Sequence, residues 1–365
     1  SVGMHLAIAT VLGLVVQPAA RRAQCPRMAA SEVQEQQQQL THRFGVYIED
    51  TDAFAVVYYA NYARFFERAA HDWLGMPACA ELLRTQGFFL GLEAMDGVKY
   101  AQPALLGDTC EVRGEMLSLA QGRLTLRASI VRVEDEAELH SGRFEFAFRD
   151  RDGQIATSWP LPAAVPEALP GADASADEAS AELLPEGMSP LALPVVLQAD
   201  EAGGGAGRLT MHAALRFFER HRTTFIGGPD VLYAASSSHP STSRPAPHAP
   251  NRCCCSTHVT CSRPTSEQAL AALQAAGVNV VVARLGGARL LRAARDVRVG
   301  DALTLRCRVT LKARNTQVVF EQVLLTADGG EPVARAAITC LCLDPRAGKI
   351  VPAPASLLAQ LEAVV

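Results

Sequence analysis

The pattern of apolar and polar residues is regular from about residue 41 onward. A short alternating run, His42 to Ile48, predicts a β-strand. The next segment carries apolar residues at helical spacing and ends at Gly75, a residue type that commonly terminates helices. The apolar helical positions are Tyr62, Phe65, Phe66, Ala69, Ala70 and Trp73. A second, shorter helix is predicted to end at Gly87.

Strand-like runs occupy the chain after this helix, up to about residue 150. Short turn signals separate them, including Ala120-Gln121-Gly122 and Arg151-Asp152-Gly153. One strand, one long helix and then a series of antiparallel strands indicate the α+β class, with a curved sheet wrapped around the helix.

The chain contains an internal repeat. The five residues Arg64 to Arg68, with sequence RFFER, recur unchanged at Arg216 to Arg220, 152 residues later. Gly107-Asp108 is matched by Gly300-Asp301, 193 residues later, so the second copy holds 41 additional residues. We therefore predict a first domain at 41–160, a linker at 161–190, and a second domain at 191–355. A disordered insertion at about 234–266 accounts for most of the additional residues.

The first 40 residues do not show a folding pattern. The apolar run from Leu6 to Val16 has 11 residues, too few to span a bilayer. The segment after it is rich in Arg and Ala and has no acidic residue before Glu32. This predicts a targeting presequence, either a signal-type segment or a transit peptide for a plastid or mitochondrion, with a cytoplasmic protein as the alternative.

Composition narrows the functional classes. With 49% hydrophobic and 20% charged residues and a net charge of −4, the sequence is typical of a soluble globular protein. It gives no electrostatic reason to expect nucleic acid or an anionic membrane as a partner. We predict neither a membrane span nor a bound cofactor.

The ten cysteines do not form a disulfide pattern. Cys79, Cys110, Cys307, Cys340 and Cys342 lie in apolar contexts and are expected to be reduced, packing as small hydrophobic residues. The segment 253–261 has Cys and His at two-residue gaps, but a second pair of ligands is missing nearby, so no metal site is predicted.

Three acids precede the long helix: Glu49, Asp50 and Asp52. An acid before a helix most often caps a turn or the helix start. It also lies close to the free amides of the helix N-terminus, here those of Val57 to Ala60, which can stabilise a developing oxyanion. The pattern alone leaves both interpretations open.

The segment "YIEDTDAFAVVYYANYARFFERA" resembles the signature of the 4-hydroxybenzoyl-CoA thioesterase family of hotdog-fold acyl-CoA thioesterases. The likeness runs from residue 42 to 160 and is weaker at about 190–355. It implies a double hotdog, each copy a long central helix wrapped by a curved antiparallel sheet. It also implies hydrolysis of acyl-CoA, with a homodimer of such units as a further expectation.

The resemblance assigns the catalytic carboxylate to Asp52, as general base or nucleophile. Val57, Tyr58, Tyr59 and Asn61 border this position and are the candidate substrate contacts. Two residues depart from the family pattern: Ala55 replaces a glycine and Tyr59 replaces a histidine. Glu67 is the secondary candidate, because one branch of the family uses a glutamate on the helix.

The repeat separates these candidates. In ungapped register Gly204 aligns with Asp52, Met211 with Tyr59 and Ala213 with Asn61, whereas Glu67 is retained as Glu219. Glu67 is therefore expected to make structural contacts, such as ion pairs with Arg64 or Arg68. Asp200 is a less favoured, displaced counterpart of Asp52. The second copy is predicted to line the site without supplying a base.

The sequence thus predicts an acyl-CoA thioesterase with one competent site. The alternatives are an acyl-acyl-carrier-protein thioesterase and a non-catalytic acyl-CoA-binding protein. Nothing in the sequence indicates the length or the aromatic or aliphatic character of the acyl group.

Overall fold

The computed structural model describes residues 40–52, 55–161, 188, 192–202, 207–226, 277–327, 330–344 and 346–362. The predicted presequence, most of the linker and the predicted insertion lie outside the described residues. We refer to residues 40–161 as the first half and to the described residues of 192–362 as the second half.

The first half contains five strands and two α-helices, with a short 3₁₀ helix at Ile48–Asp50. In chain order they are β1 (Leu40–Gly45), α1 (Asn61–Leu74), α2 (Met76–Gln86), β2 (Phe89–Tyr100), β3 (Thr109–Ala120), β4 (Arg123–Arg132) and β5 (Glu138–Arg149). The two predicted helices and the predicted strands that follow them are confirmed.

The second half contains six described strands, two α-helices and a 3₁₀ helix at Arg292–Arg295. In chain order they are β6 (Leu193–Val196), α3 (Met211–Ile226), β7 (Asn279–Leu290), β8 (Ala302–Lys312), β9 (Gln317–Thr326), β10 (Pro332–Asp344), β11 (Lys349–Ile350) and α4 (Ala355–Glu362).

All the strands belong to one antiparallel sheet. Ten follow the order β1-β3-β4-β5-β2-β7-β10-β9-β8-β6, and β11 pairs with β10. The five strands of the second half on this path thus repeat the order of the first five in reverse. The halves meet at β2 and β7, which pair from Ala94–Arg289 to Lys99–Arg284.

The long helices α1 and α3 each bury an apolar face. Phe65, Phe66, Phe217 and Phe218 are at most 1% exposed, so the repeated Phe-Phe pair enters the core in both halves. Phe66 stacks on Phe144 of β5 with ring centroids 3.9 Å apart. The arginine that ends the motif lies over its phenylalanine in each half, Arg68 over Phe65 at 5.8 Å and Arg220 over Phe217 at 5.2 Å.

Glycines end the first two helices, as the sequence predicts. Gly75 has φ of 88° and Gly87 has φ of 76°, conformations that residues with a side chain rarely adopt. The predicted strand at 42–48 is displaced, because β1 ends at Gly45 and a 3₁₀ turn replaces its last residues. The Asp50 carboxylate closes this turn by accepting a hydrogen bond from the Tyr47 amide at 3.1 Å.

Candidate active site

The loop before α1 carries Asp52 at its exposed tip. The Asp52 amide donates to the Val56 carbonyl at 2.8 Å, and the Ala55 amide donates to the Asp52 carbonyl at 3.1 Å. The Val56 amide lies 3.4 Å from Oδ1 of Asp52, a long contact that caps the turn without burying the carboxylate. Ala55 has φ of 59°, in the left-handed region that favours the glycine found there in the family. The side chain of Asp52 thus combines a turn contact with access to solvent.

The neighbouring acid Asp50 is a structural residue of this loop. It is 1% exposed, and its carbonyl accepts hydrogen bonds from the Tyr58 amide at 3.1 Å and from Nδ2 of Asn61 at 2.9 Å. Glu49 is exposed and lies 4.0 Å from Arg68. The three acids noted in the sequence therefore differ: Asp50 is committed to the fold, whereas Glu49 and Asp52 face solvent.

Two of the four amides predicted as oxyanion donors already have backbone partners. The Val57 amide donates to the Ala104 carbonyl at 2.9 Å, and the Tyr58 amide donates to Asp50. The next two amides, those of Tyr59 and Ala60, have no acceptor among the described residues. They lie just before the first residue of α1, where helical geometry leaves N–H groups unpaired. Of the four predicted donors, the Tyr59 and Ala60 amides are therefore the two available to bind an oxyanion.

Tyr59 joins the site loop to the second half. Its hydroxyl donates to the Leu215 carbonyl of α3, and the Arg222 guanidinium lies 5.0 Å from its ring centroid. Burial raises the pKa of the Tyr59 phenol, so the hydroxyl remains a donor at neutral pH. Tyr58 is half-buried and packs edge-to-face on Tyr59 with ring centroids 5.2 Å apart. Tyr58 and Tyr59 were both predicted as substrate contacts, but the Tyr59 hydroxyl already donates a hydrogen bond within the protein.

Asn61 is held from both sides. Its Nδ2 donates to the Asp50 carbonyl, and its Oδ1 lies 2.9 Å from Nε2 of His212. Burial, with Arg64 and Arg216 nearby, lowers the pKa of His212 to about 4, so the imidazole is neutral at pH 7 and Nε2–H can donate. His212 was not among the site residues predicted from the sequence. In the repeat register His212 aligns with Ala60, so the alignment gave no signal for it.

Glu67 occupies a different environment from the one predicted. It is not ion-paired with Arg64 or Arg68; instead its Oε1 accepts a hydrogen bond from the Leu92 amide at 3.2 Å. Burial raises the pKa of its carboxyl to about 7, and the Leu92 hydrogen bond only partly opposes this shift. Glu67 lines a small cavity with residues 209–211, at the N-terminus of α3.

The loop before α3 repeats the hydrogen bonds of the loop before α1. The Gln198 amide donates to Glu201 as the Tyr47 amide donates to Asp50. The Val299 amide donates to the Gly207 carbonyl at 3.0 Å, as the Leu106 amide donates to the Ala55 carbonyl at 2.9 Å.

These contacts correct the repeat alignment. The residue equivalent to Asp50 is Glu201, so Asp200 corresponds to Glu49 and is not a displaced Asp52. Counting forward from Glu201 places the counterpart of Asp52 at position 203, and counting back from Gly207, the counterpart of Ala55, places it at 204. Both positions are glycines and lie outside the described residues.

The sequence predicted neither a metal site nor a membrane-spanning helix. Among the described residues, no cluster of three or more His, Cys, Asp or Glu side chains is arranged to hold a metal ion. Within the same part of the chain, none of the helices combines the length and apolar character needed to cross a membrane.

Comparison with known proteins identifies the family. No family model matches the chain. The acyl-CoA thioester hydrolase YbgC of Escherichia coli is 35% identical to it over 91 residues, which are 25% of this chain and 67% of YbgC, and YbgC of Shigella flexneri matches equally.

Two solved structures share the fold over most of the chain. They are a proposed oleoyl thioesterase from Lactobacillus plantarum (TM-score 0.52, 8% identity, 83% of this chain and 95% of that chain) and the 12:0-ACP thioesterase from Umbellularia californica (TM-score 0.51, 9% identity, 83% and 94%). The sequence match and the shared fold together show that this chain belongs to the hotdog-fold acyl-CoA thioesterases, a family of thioester hydrolases.

Proposed function

We propose that the chain is a double hotdog that hydrolyses acyl-CoA at one competent site, with Asp52 as the catalytic carboxylate. The observation that carries this proposal is the loop geometry. An exposed carboxylate at the loop tip is followed within eight residues by two amides that have no acceptor in the described part of the chain, at the N-terminus of a 14-residue helix. Base and oxyanion donors in one short segment are what thioester hydrolysis requires.

The reaction proceeds in two steps. The Asp52 carboxylate takes a proton from water as the water oxygen attacks the thioester carbonyl carbon. The Tyr59 and Ala60 amides donate to the oxyanion that forms on the carbonyl oxygen. The intermediate then collapses by breaking the C–S bond, and the CoA thiolate takes the proton from Asp52, releasing the free acid. Direct attack by Asp52 on the carbonyl carbon is the alternative first step.

The second half supports this site without a carboxylate equivalent to Asp52. His212 fixes Asn61, and Leu215 anchors the Tyr59 hydroxyl, so the loop is positioned by contacts from both halves. The reversed strand order and the matching loop hydrogen bonds support a pair of hotdog units within one chain. We assign these units to the predicted domains at 41–160 and 191–355.

An acyl-acyl-carrier-protein substrate is the second candidate. Its support is the fold shared over 83% of this chain with the 12:0-ACP thioesterase, a likeness that concerns architecture alone. The acyl-CoA substrate is preferred because the 35% sequence match is to an acyl-CoA thioester hydrolase.

The test is release of free thiol by the full chain from a panel of acyl-CoAs and acyl-carrier proteins, followed with a thiol reagent. We expect release from at least one acyl-CoA and a loss of kcat of about 10²–10⁴-fold in Asp52→Asn. Glu49→Gln, an exposed acid of the same loop, is the matched control and keeps the wild-type rate. Release from carrier-protein substrates alone would favour the second candidate.

Two outcomes would oppose the assignment. Thioester binding without thiol release from any substrate would indicate a non-catalytic acyl-CoA-binding protein. A wild-type rate in Asp52→Asn combined with a lost rate in Glu67→Gln would transfer the catalytic role to Glu67.

A further inference from the structure

The cavity beside Glu67 lies at the N-terminus of α3 and has features of an anion site. The volume that the centres of water molecules can occupy in this cavity is about 40 Å³. Its apolar lining comes from both halves: Phe89, Leu92, Leu209, Met211, Leu290 and Ala294. At roughly 10–15 Å³ for each water on this measure, the space suits about three waters or a ligand of four or five non-hydrogen atoms.

Arg208 supplies a buried positive charge to this cavity. The residue is 4% exposed, and it makes no ion pair with a carboxylate among the described residues. Its terminal nitrogens donate to the carbonyl oxygens of Arg295 and Arg151, and its buried Nε has no acceptor within the part of the chain that the structure describes. A buried cation with an unused donor is costly unless an anion or another acceptor completes it.

The N-terminus of α3 provides further donors beside the cavity, which Thr210 and Met211 line. The Ala213 amide donates to the Thr210 hydroxyl, and the Ala214 amide donates to the Thr210 carbonyl. The amides of Met211 and His212 are left without acceptors among the described residues. These two amides are the repeat counterparts of the Tyr59 and Ala60 amides.

None of the described carboxylates around the cavity forms an ion pair with Arg208. Asp150, Asp152 and Asp296 stabilise its charge from beyond ion-pair distance, and Arg298 opposes them. Glu93 and Arg149 form a buried ion pair with each other. The Glu67 carboxyl, with its pKa raised to about 7 by burial, can be protonated near neutral pH and then donate a hydrogen bond. Arg208 occupies the position of Val56 in the first half, because the backbone of each forms the equivalent isolated β-bridge, Arg208 with Arg298 and Val56 with Leu105. The positive charge of Arg208 is therefore particular to the second half.

We propose that this cavity between the halves binds a short-chain monocarboxylate, with its carboxylate on Arg208 and the N-terminus of α3 and its alkyl end on the apolar lining. A carboxylate suits one guanidinium and two amides, and the apolar walls exclude a more highly charged anion such as phosphate. The ligand belongs to the same chemical class as the acid released by thioester hydrolysis. No catalytic step is needed for it to bind.

The test is calorimetric titration of the full chain with sodium propionate at constant ionic strength. We expect saturable one-to-one binding with Kd on the order of 1 mM, as suits a ligand of five non-hydrogen atoms. Arg208→Val, which installs the first-half residue, weakens binding at least about ten-fold. Propionamide, the neutral isostere, does not bind, and Arg284→Val, an exposed arginine of β7, binds as the wild type does.

Three results would overturn the proposal: no saturable propionate binding by the wild type at about ten times the expected Kd, equal binding by Arg208→Val, or equal binding of propionamide. If Arg208→Val does not fold, Arg208→Gln retains side-chain N–H donors while removing the charge and gives the same comparison. Because every readout is a binding equilibrium, failure here is distinguishable from failure of the proposed thioesterase reaction.

Discussion

Ala55 and Gly207 hold the same left-handed backbone conformation at equivalent positions of the two halves, with φ of 59° and 62°. Their carbonyls accept equivalent hydrogen bonds, from Leu106 and Val299. Ala55, which replaces the glycine of the family pattern, is therefore a strained residue in the loop that carries Asp52. The second half keeps the residue that this conformation favours.

Exchanging the two residue types should change stability in opposite directions. Ala55→Gly is expected to raise the free energy of unfolding by about 1 kcal/mol, because alanine pays a steric penalty at positive φ. Gly207→Ala should lower it by about the same amount. A Cβ there would lie 3.5 Å from Val299, an ordinary contact, so the cost is conformational. Urea denaturation midpoints give the comparison, and changes of equal sign in both variants would contradict the interpretation.

The hydroxyl of Tyr59 gives a second prediction, because it separates a structural role from a substrate contact. Tyr59→Phe removes the hydrogen bond to Leu215 and should destabilise the protein by about 1 kcal/mol. The KM for an acyl-CoA should stay within about two-fold of wild type, since a hydroxyl bonded to α3 adds no ground-state substrate binding. Denaturation and steady-state kinetics measure the two effects.

Tyr58→Phe is the control for this prediction. Its half-buried hydroxyl has no hydrogen bond among the described residues, so its loss should leave stability nearly unchanged. Unchanged stability and a raised KM in Tyr59→Phe would instead place the Tyr59 hydroxyl on the substrate.

The Glu67 carboxyl should make stability depend on pH. Its pKa is about 7 in the folded state and close to 4.5 when unfolded, so the folded state binds more protons between these values. The stabilisation is complete below about pH 4.5 and is lost as the pH rises through 7. Glu67→Gln removes this dependence and keeps an oxygen for the Leu92 amide.

The measurement is the difference in unfolding free energy between wild type and Glu67→Gln from pH 4.5 to 8. The wild type should lose stability relative to the variant, by on the order of 3 kcal/mol at most over this range. Buried histidines such as His212 and His140, whose pKa values are lowered by burial, are common to both proteins and cancel. A difference that does not change with pH would place the Glu67 pKa near its ordinary value.

The sequence predicted the parts of the fold that depend on local patterns. The apolar spacing of α1 and the terminal Gly75 are such patterns, and the turn at Gln121-Gly122 is another, with both φ angles positive. The end of β1 was misplaced because a side chain, Asp50, closes a turn where the apolar alternation continues. Asp52 and its neighbours were located through a family resemblance, since an acid before a helix is commonly only a cap.

The contacts between the halves could not be predicted in the same way. The Tyr59–Leu215 and Asn61–His212 pairs join residues more than 150 positions apart. They arise only when α1 and α3 pack against a common sheet. The charge at Arg208 was equally hidden, because its significance depends on burial and on the cavity beside it.

The contact between Asn61 and His212 gives the last prediction. Asn61 also holds the Asp50 carbonyl, so loss of His212 should loosen the loop that positions Asp52. His212→Ala is expected to lower kcat about five- to ten-fold with little change in KM, as suits a positioning residue. In a double-mutant cycle with Asn61→Ala, the effects on unfolding free energy should be non-additive by about 1 kcal/mol.

A second buried histidine of α3 provides the control for this cycle. His221 is fully buried and lies 3.3 Å from Gln322, away from Asn61. His221→Ala should change stability but show additive effects with Asn61→Ala, because His221 lies nine residues, about 13 Å, further along α3 than the Asn61 contact His212, beyond the range at which mutational effects usually couple. Additive effects for both histidines would show that His212 does not act through Asn61. A fall in kcat that is equal in both histidine variants would reflect general loosening of α3, and the positioning role would then be wrong.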